Sequence, residues 1–395
     1  MLQQIVDDFN ASQDEIEIKA EYQGTYDDTI TKLKAAMQSE SGLPDVCQMY
    51  DVGTKFMYDS GAVIPVEDKF ESTGYDKSSV MDVISSYYTV EGKQYAMPFN
   101  VSTPMLYYNK DVFEAAGLDP ETPPTTYDEV LEDAKKIVES GAAPVGYSQA
   151  IYGWFFEQQL AGLGVTYGNN DNGRTEAVTA VDFDSNGGGL KVFDMWKKLY
   201  DSGYFEDYGT TTADTQTAFF SGQVGMIIES TAILKNAVDS SPFEVGTGYL
   251  PRIEQNDEGG VIIGGGSLWL TDTGNEANED AAWKFIEYIT TPDVQAKWSM
   301  GTGYFAINEK AYETDDMKAY LKENPNFETA INQLKDSPVN CNTAGVLSGV
   351  QTEARLTFNE IMPQVYDGKL TTQDAVDQLA ASVNKAIENY NESIK

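Results

Sequence analysis

The sequence predicts an α/β protein with two lobes, each assembled from separate pieces of the chain. Helical and strand patterns alternate near the N terminus, which is typical of a parallel α/β sheet. Two β-rich stretches are interrupted, residues 98–110 by Pro104 and residues 260–270 by three consecutive glycines. We interpret each interruption as a passage of the chain from one lobe to the other, because α/β segments lie on both sides of it.

The charge of the chain limits its partners. Its 395 residues include 63 acidic and 26 basic side chains, which give a net charge of −37. A field of that sign repels nucleic acid and anionic membranes, so neither is expected as a partner. The hydrophobic fraction of 41% indicates a folded globular protein. No apolar run approaches the ~18 residues of a membrane-spanning helix.

The absence of histidine excludes several kinds of enzyme. A Ser-His-Asp triad, a Cys-His pair and a histidine-ligated metal site all require that residue. We expect no metal and no cofactor. With no histidine, only paired-carboxylate chemistry, as in glycoside hydrolysis, stays open to an enzyme. Cys47 and Cys341 lie far apart in the sequence, and one disulfide or two unpaired thiols would both fit.

The first elements alternate between helix and strand. The patterns predict helices over 2–13 and 27–38, and strands over 16–22 and 43–50. Tyr26 and Asp51 follow the two strands, and ligands collect outside the carboxyl ends of parallel strands. Each of the two is therefore a candidate ligand-binding residue, with an ordinary turn residue as the alternative.

A sheet of this type is expected to open with a strand before the first helix. The sequence instead begins in that helix. We therefore expect that the first strand, the loop after it and any signal peptide are missing from these 395 residues.

The stretch 98–110 reads as one strand, a bend and a second strand. Proline gives a sheet no hydrogen-bond donor, so Pro104 is incompatible with a continuous central strand. The polar residues at the bend, Asn100, Ser102 and Thr103, are expected to face the space between the lobes. Further along, Thr126 and Glu129 fit a capping box that starts a helix.

The rest of the chain continues the α/β pattern. Residues 152–156 form an aromatic cluster in which Trp154 is either core or a ring that stacks on a ligand. The glycines of residues 260–270 mark either a β-bulge or a close approach of a ligand to the backbone. Strands are predicted over 61–66, 92–99, 144–147, 224–228 and 243–250, and helices over 82–88, 111–116, 126–140, 190–201, 213–221, 278–290, 291–299, 318 onward, 352–362 and 372–390.

Several motifs together resemble a known family. They are GTY at 24–26, an acidic residue before VGT at 51–54, PFN-STP-LYYNKD-F--AGLDP--PPTT at 98–126, IIGGGSLW at 262–269 and TGY at 302–304. Over nearly its whole length the chain resembles the extracellular solute-binding proteins of bacterial ABC importers. Within that family it looks most like members that bind glycerol 3-phosphate.

The resemblance implies the two-lobed fold of periplasmic binding proteins, often called the Venus flytrap fold, with hinge crossovers. The lobes would comprise residues 1–106 with 260–311, and residues 107–259 with 312–395. It also implies a non-enzymatic, extracytoplasmic monomer, in the periplasm or as a lipoprotein at the cell surface. Such a protein would trap glycerol 3-phosphate or a glycerophosphodiester between its lobes and deliver it to a membrane permease.

The resemblance further implies a set of ligand-binding residues. Arg355 matches the phosphate-binding arginine, whose guanidinium fork suits phosphate oxygens. Asp51, Ser102 and Tyr26 match positions at the glycerol end, and Trp154 would form an apolar wall. The remaining matches would complete the shell of donors around the phosphate: Ser230 or Thr231, Gly265 and Tyr304.

Three departures from the family pattern affect the ligand. Asp51 stands where a glutamate is expected, and Thr231 stands second in what is usually a serine pair. Glu229 directly precedes that pair and would oppose a dianion. These changes leave room for a phosphodiester with a choline head, since a quaternary amine is attracted to carboxylates and aromatic rings.

Two alternatives remain from the sequence. An oligosaccharide-binding protein would have the same fold and would be favoured if Arg355 pointed away from the ligand. A carboxylate-dependent glycoside hydrolase would need two acidic residues about 5–10 Å apart, and the candidates for that pair are Asp51 and Glu229.

Overall fold

The computed structural model describes residues 1–39 and 42–394, and its chain divides into two compact units. Unit 1 consists of Met1–Ser102 and Ile263–Glu323, and unit 2 of Thr103–Ile262 and Asn324–Lys395. Each unit is discontinuous in sequence, so the chain passes between the units three times. The passages follow residues 102, 262 and 323, whereas the sequence analysis placed them after residues 106, 259 and 311.

Ten strands are present within the described residues. They are β1 (Val46–Tyr50), β2 (Val63–Ile64), β3 (Thr89–Val90), β4 (Lys93–Gln94), β5 (Met97–Ser102), β6 (Pro104–Asn109), β7 (Val145–Ser148), β8 (Val224–Ser230), β9 (Val245–Gly248) and β10 (Gly264–Thr271).

Strand β10 is the centre of the unit 1 sheet. It pairs with β1 on one side and with β5 and β2 on the other, and all three pairings are antiparallel. Strands β1, β2 and β5 therefore share one direction, as the alternation of helix and strand predicted. The prediction of a parallel sheet is nevertheless wrong, because β10 enters from a distant part of the chain and runs against the other three.

The unit 2 sheet has the strand order β7-β8-β6-β9. Only the β7–β8 pair in this described sheet is parallel, and β6 runs antiparallel to both β8 and β9. Aromatic side chains dominate the core behind it. The ring of Phe358 lies 5.1 Å from that of Phe156 and 5.4 Å from that of Trp196, measured between ring centres.

Helices cover the sheets of both units. In unit 1 they are Leu2–Ser12, Tyr26–Gln38, Thr54–Asp59, Val66–Thr73, Asp82–Ser85, Glu276–Ile289, Pro292–Thr302 and Asp315–Glu323. In unit 2 they are Lys110–Ala115, Tyr127–Ser140, Gly153–Gly162, Gly188–Asp201, Thr212–Phe220, Leu234–Ser240, Asn326–Asp336, Gln351–Tyr366 and Thr372–Ser393. The segment Asn169–Gly173 is a left-handed turn, with positive φ at its last four residues.

Some local predictions are confirmed and one is wrong. Thr126 and Glu129 form the predicted capping box at the start of Tyr127–Ser140. Residues 16–22 are irregular, although they were predicted as a strand. Among the described residues they have no partner strand. Instead the Asn10 side chain binds the backbone of Ile18 through both its amide oxygen and its amide nitrogen.

The predicted break at the proline is confirmed. Strand β5 ends at Ser102 and β6 begins at Pro104, so Thr103 alone separates them. The carbonyl of Thr103 accepts a hydrogen bond from the Thr231 backbone at 2.7 Å, and its amide donates to the Thr231 hydroxyl at 3.1 Å. A bend without a ladder partner thus has its backbone groups satisfied by the end of β8.

Two further questions from the sequence are answered. Cys47 and Cys341 are both free thiols, and burial raises the pKa of Cys47 to about 11. Among the described residues, no helix has the length and apolar character needed to cross a membrane.

Candidate functional site

The glycines of β10 bring the unit 1 candidates together. Gly264 pairs with Ser102, Gly265 with Val101 and Gly266 with Asn100. On the other side of β10, Gly266 pairs with Tyr50, and Asp51 directly follows Tyr50. Two predicted residues from distant parts of the sequence, Asp51 and Ser102, are therefore held at the same end of one sheet.

Gly265 adopts a backbone conformation that only glycine accepts easily. Its φ is +93°, and a Cβ atom at this position would lie 1.9 Å from the carbonyl oxygen of Asn100. The register of the ladder shifts between Gly266 and Ser267, as in a β-bulge. The bulge expected as one alternative is present, and the close approach at Gly265 is to the protein's own backbone.

Tyr26 is fixed by two contacts in unit 1. Its ring stacks on Tyr50, with 4.9 Å between ring centres and 7° between ring planes. Its hydroxyl accepts a hydrogen bond from the Asn100 amide at 2.8 Å, while the amide oxygen of Asn100 accepts one from Gln48 at 2.7 Å. Tyr26 begins the helix after residue 25 and does not follow a strand, contrary to the sequence analysis.

Asp51 begins a short 3-10 turn directly after β1 and is only 4% exposed. Its backbone carbonyl accepts a hydrogen bond from the Thr54 hydroxyl at 2.7 Å. The fully buried Tyr88 lies near enough that burial first, and then the negative charge of Asp51, raise the pKa of its hydroxyl. Asp51 is thus held in a largely dry setting, where hydrogen bonds are electrostatically stronger than in water.

Tyr304 is positioned by a stack of rings. It lies 5.9 Å from Trp298, whose ring is in turn 4.4 Å from that of Phe99 in β5. The amide of the next residue, Phe305, donates to the carbonyl of Val101 at 3.0 Å. Tyr304 therefore lies beside the same end of β5 as Ser102, and unit 1 gathers all five of its predicted residues around that end.

In unit 2, the Arg355 guanidinium already has an acidic partner. Its Nε donates to Glu157 Oε1 at 2.8 Å and its Nη2 to Glu157 Oε2 at 2.7 Å. The two residues are 7% and 6% exposed, so this is a buried, bidentate ion pair. Gln351 donates to the same carboxylate at 3.0 Å, and the Tyr152 ring lies 6.0 Å from the guanidinium carbon.

Trp154 lies on the helix that carries Glu157. This helix, Gly153–Gly162, packs closely on Gln351–Tyr366, since a Cβ at Gly153 would lie 2.5 Å from the Cα of Arg355. Trp154 is 5% exposed. In the described part of the chain its indole N–H is buried without a hydrogen-bond partner, which is rare for a native polar group and is consistent with donation to a ligand.

The hydroxyl groups of Ser230 and Thr231 differ in how accessible they are to a ligand. Ser230 is partly exposed at the end of β8, and its hydroxyl accepts a hydrogen bond from the Ala232 amide at 3.2 Å. Thr231 is fully buried and its hydroxyl serves the bend at Thr103. Of the two, Ser230 is the better candidate for a ligand contact.

Glu229, the acidic residue before this pair, is buried and has two donors. It accepts hydrogen bonds from Gln216 at 2.9 Å and from the Ser230 amide at 2.6 Å. Burial nevertheless raises the pKa of its carboxyl group. Asp51 and Glu229, the pair considered for a hydrolase, belong to different units.

Sequence reasoning missed some residues around these candidates. Tyr88 was hidden in a short helical stretch with no motif, and Glu157 looked like one acidic residue among many. Asn100 was expected at the bend but was not proposed as a residue that orients Tyr26. The departures from the family pattern at Asp51 and Glu229 indicate that the charges near the candidate ligand-binding residues differ from those of the family.

Unit 2 also contains a cavity of about 700 Å³ that none of the nine predicted residues lines. It lies beside β9 and the helix Asn326–Asp336. Lys110, Arg252 and Asp336 are among its charged residues. We therefore treat it as separate from the candidate ligand-binding residues.

Comparison with known proteins establishes the class. Residues 4–329 match the model of the family described as bacterial extracellular solute-binding protein. The chain therefore belongs to that family.

Individual proteins are also similar to the chain over nearly its whole length. The chain is 30% identical, over 98% of its length and 89% of theirs, to the sn-glycerol-3-phosphate-binding periplasmic protein UgpB of Escherichia coli (strain K12) and of Shigella dysenteriae serotype 1 (strain Sd197).

Solved structures share the fold. UgpB from Mycobacterium tuberculosis, in complex with glycerophosphocholine, superposes with a TM-score of 0.83 at 21% identity, covering 99% of this chain and 95% of that one. The cyclic alpha-maltosyl-1,6-maltose binding protein from Arthrobacter globiformis superposes with a TM-score of 0.81 at 26% identity, covering 98% and 95%. The fold is thus the two-lobed α/β fold of periplasmic binding proteins, as expected.

These findings define the general role of the chain. It is the solute-binding component of an ABC importer, which binds a small molecule and delivers it to a membrane permease. Its family and relatives place it outside the cytoplasm. The members that it matches are substrate-binding proteins.

Proposed function

We propose that this protein captures glycerol 3-phosphate or a glycerophosphodiester for an ABC importer. We further propose that it acts as a monomer, in the periplasm or as a lipoprotein at the cell surface, and that it releases its ligand chemically unchanged. The observation that carries the proposal is the 30% identity to a glycerol-3-phosphate-binding protein over 98% of the chain.

Unit 1 supplies groups suited to the glycerol end of such a ligand. The buried Asp51 carboxylate accepts hydrogen bonds from hydroxyls, and Ser102 and Tyr26 can both donate and accept. Asn100 and Tyr50 hold the Tyr26 ring in place, so this part of the site is ordered before a ligand arrives. Such preorganisation lowers the entropic cost of binding.

Unit 2 supplies groups suited to phosphate. In this proposal Arg355 contacts the phosphate with its guanidinium, which also forms the ion pair with Glu157, and the indole N–H of Trp154 and the hydroxyl of Ser230 are further donors. In this proposal Gly265 and Tyr304 are further ligand-binding residues of unit 1. Thr231 contributes mainly by shaping the bend at Thr103.

A second candidate function is oligosaccharide binding. The pairing of Arg355 with Glu157 favours it, because a cation that already has a carboxylate partner attracts a phosphate less. The Arthrobacter globiformis relative, at 26% identity, is named for an oligosaccharide. Sugar ligands would use the same carboxylate, hydroxyl and aromatic groups without needing a free cation.

Thermal unfolding with a ligand panel tests the proposed function. A ligand that binds only the folded state raises the melting temperature according to its affinity. We expect glycerol 3-phosphate or glycerophosphocholine, each at about 1 mM, to raise it and maltose to leave it unchanged. A rise with maltose alone would replace the proposed function by the second candidate.

The same samples test whether the ligand is left intact. Phosphorus NMR after prolonged incubation with glycerophosphocholine is expected to show one unchanged diester signal. A growing phosphomonoester signal that is lost on substitution of Asp51 or Glu229 would instead show that the protein hydrolyses the diester.

A further inference from the structure

Glu157 is a buried acidic residue that forms an ion pair with a proposed phosphate-binding residue. It lies one helical turn after Trp154 and points its carboxylate at Arg355, the residue proposed to bind phosphate. Both oxygens of the carboxylate are used, at 2.8 and 2.7 Å, and Gln351 adds a third donor at 3.0 Å. Both members of the ion pair are more than nine-tenths buried.

We propose that Glu157 sets the charge of the ligand: by neutralising Arg355 it selects a phosphodiester or a zwitterion over a phosphomonoester dianion. The inference rests on the proposed function and narrows it to one substrate class. A ligand of that class is a glycerophosphodiester with one negative charge, balanced or not by a cationic head group.

The charge balance around Arg355 supports this selection. A phosphomonoester has a second pKa near 6 and therefore carries close to two negative charges at neutral pH, whereas a diester carries one. Arg355 and Glu157 sum to zero, so a dianion would meet no net positive charge from this pair. Buried charges are screened weakly by salt, and a charge of the same sign nearby disfavours them strongly.

Arg174, a second arginine of unit 2, does not offset the neutralisation of Arg355 by Glu157. Arg174 donates to the carbonyls of Ala344 and Gly345, so it stabilises a loop elsewhere in the unit. Glu229, next to the proposed ligand contact Ser230, is a second buried carboxyl group. The acidic groups proposed near the phosphate therefore match or exceed the basic ones.

The ionisable groups that face Glu157 come from two elements. Arg355 approaches from the helix Gln351–Tyr366, and Tyr167 approaches from the segment after Gly153–Gly162. Burial, and next the Glu157 charge, raise the pKa of Tyr167, so its phenol stays neutral. The Tyr152 ring faces the guanidinium. A change of pH between 5 and 7.5 should thus leave Arg355 and Tyr167 unchanged. It should alter the ionisation of a phosphomonoester ligand, and it can also alter that of Glu229, whose pKa is raised by burial.

The test compares wild type with Glu157→Gln, a change that keeps the shape of the side chain and removes its charge. Calorimetric titrations use glycerophosphocholine, glycerol 3-phosphate and maltose at pH 5 and 7.5. At pH 7.5 we expect wild type to bind the diester at least tenfold more tightly than the monoester. We expect Glu157→Gln to reduce that ratio at least tenfold.

Two controls separate this effect from a general one. Asp201→Asn removes a carboxylate that is ion-paired with Lys197 on the surface of the same unit, and it should leave the ratio unchanged. From pH 7.5 to pH 5 wild type should gain affinity for glycerol 3-phosphate relative to glycerophosphocholine, because the monoester is then mostly a monoanion, whereas protonation of Glu229 acts on the binding of both ligands. This second control does not depend on any variant folding.

The outcomes distinguish the inference from the proposed function. If both phosphate compounds bind and their ratio is the same in wild type and Glu157→Gln, or is independent of pH in wild type, the inference is overturned and the function stands. If maltose alone binds, the proposed function is overturned and the inference with it.

Discussion

Gly265 determines the backbone geometry with which β10 pairs with β5. Positive φ costs a residue with a side chain about 1–2 kcal/mol, and its Cβ would overlap the Asn100 carbonyl. Asn100 also orients Tyr26. A change at Gly265 therefore affects the sheet and the candidate site together.

We expect Gly265→Ala to lower the free energy of unfolding by more than about 3 kcal/mol, as strain and overpacking add. The matched control is Gly274→Ala, also in unit 1, where φ is +68° and no atom lies within 4 Å of the added Cβ. That variant should lose only about 1–2 kcal/mol. Denaturant unfolding measures both, and equal losses would mean that Gly265 has room for a side chain.

Glu229 gives a pH-dependent prediction. Burial raises the pKa of this carboxyl group in the folded state, so the folded protein binds its proton more tightly than the unfolded chain does. Its contribution to stability is therefore most favourable below the unfolded pKa, near 4.3, and declines as the pH rises through the folded value.

Glu229→Gln removes that titration, so we expect the variant to gain stability relative to wild type between pH 4 and pH 7. The melting temperatures of both proteins at the two pH values measure this difference. Because all other acidic groups are common to both proteins, their effects cancel. A difference that is the same at pH 4 and pH 7 would contradict the assignment.

At the scale of elements, the helix Gly153–Gly162 places two residues with different tasks. The indole N–H of Trp154 is buried without a hydrogen-bond partner among the described residues, and Glu157 forms an ion pair with Arg355. The close packing of Gly153 on Arg355 sets the position of both. Any ligand contact by Trp154 is thus coupled to the packing of two helices.

The substitution Trp154→Phe tests the role of the indole N–H. We expect it to cost less stability than Trp196→Phe, because the Trp196 indole donates to Gln159 at 2.6 Å. Loss of that bond leaves a buried acceptor unsatisfied, at about 1–3 kcal/mol.

Calorimetry should also show that only Trp154→Phe weakens ligand binding. The opposite order of stabilities, with unchanged affinity in both variants, would make Trp154 a core residue. Trp196→Phe serves as the control for loss of a buried indole.

Element-scale features were predicted well where they depend on local chemistry. The proline at 104, the Thr126 cap and the periodic helices all follow from nearby residues. The direction of β10 and the irregular course of residues 16–22 do not, because a strand is defined by a partner that is distant in sequence. The same holds for the candidate site. Motifs predicted Asp51, Gly265 and Arg355 as site residues, but the pairing of Arg355 with Glu157 is evident only from the folded structure.

At the scale of the whole molecule, the net charge of −37 acts on any anionic ligand. A field of this sign slows the approach of anions, and added salt screens it. We expect the association rate of glycerol 3-phosphate to rise between about 0.02 and 0.5 M salt, as measured by stopped-flow tryptophan fluorescence. A neutral ligand such as maltose, if bound, would show no such rise, and a falling rate for the phosphate would contradict a repulsive field.

The central claim is that the protein binds a glycerol phosphate compound, with Arg355 at the phosphate. The most direct test is a calorimetric titration of wild type and Arg355→Lys with glycerophosphocholine, glycerol 3-phosphate and maltose. Lysine keeps a cation for Glu157 but loses the planar fork. We expect wild type to bind at least one phosphate compound and no maltose, with the affinity reduced at least tenfold in the variant. Binding of maltose alone, with the same affinity in both proteins, would contradict the account.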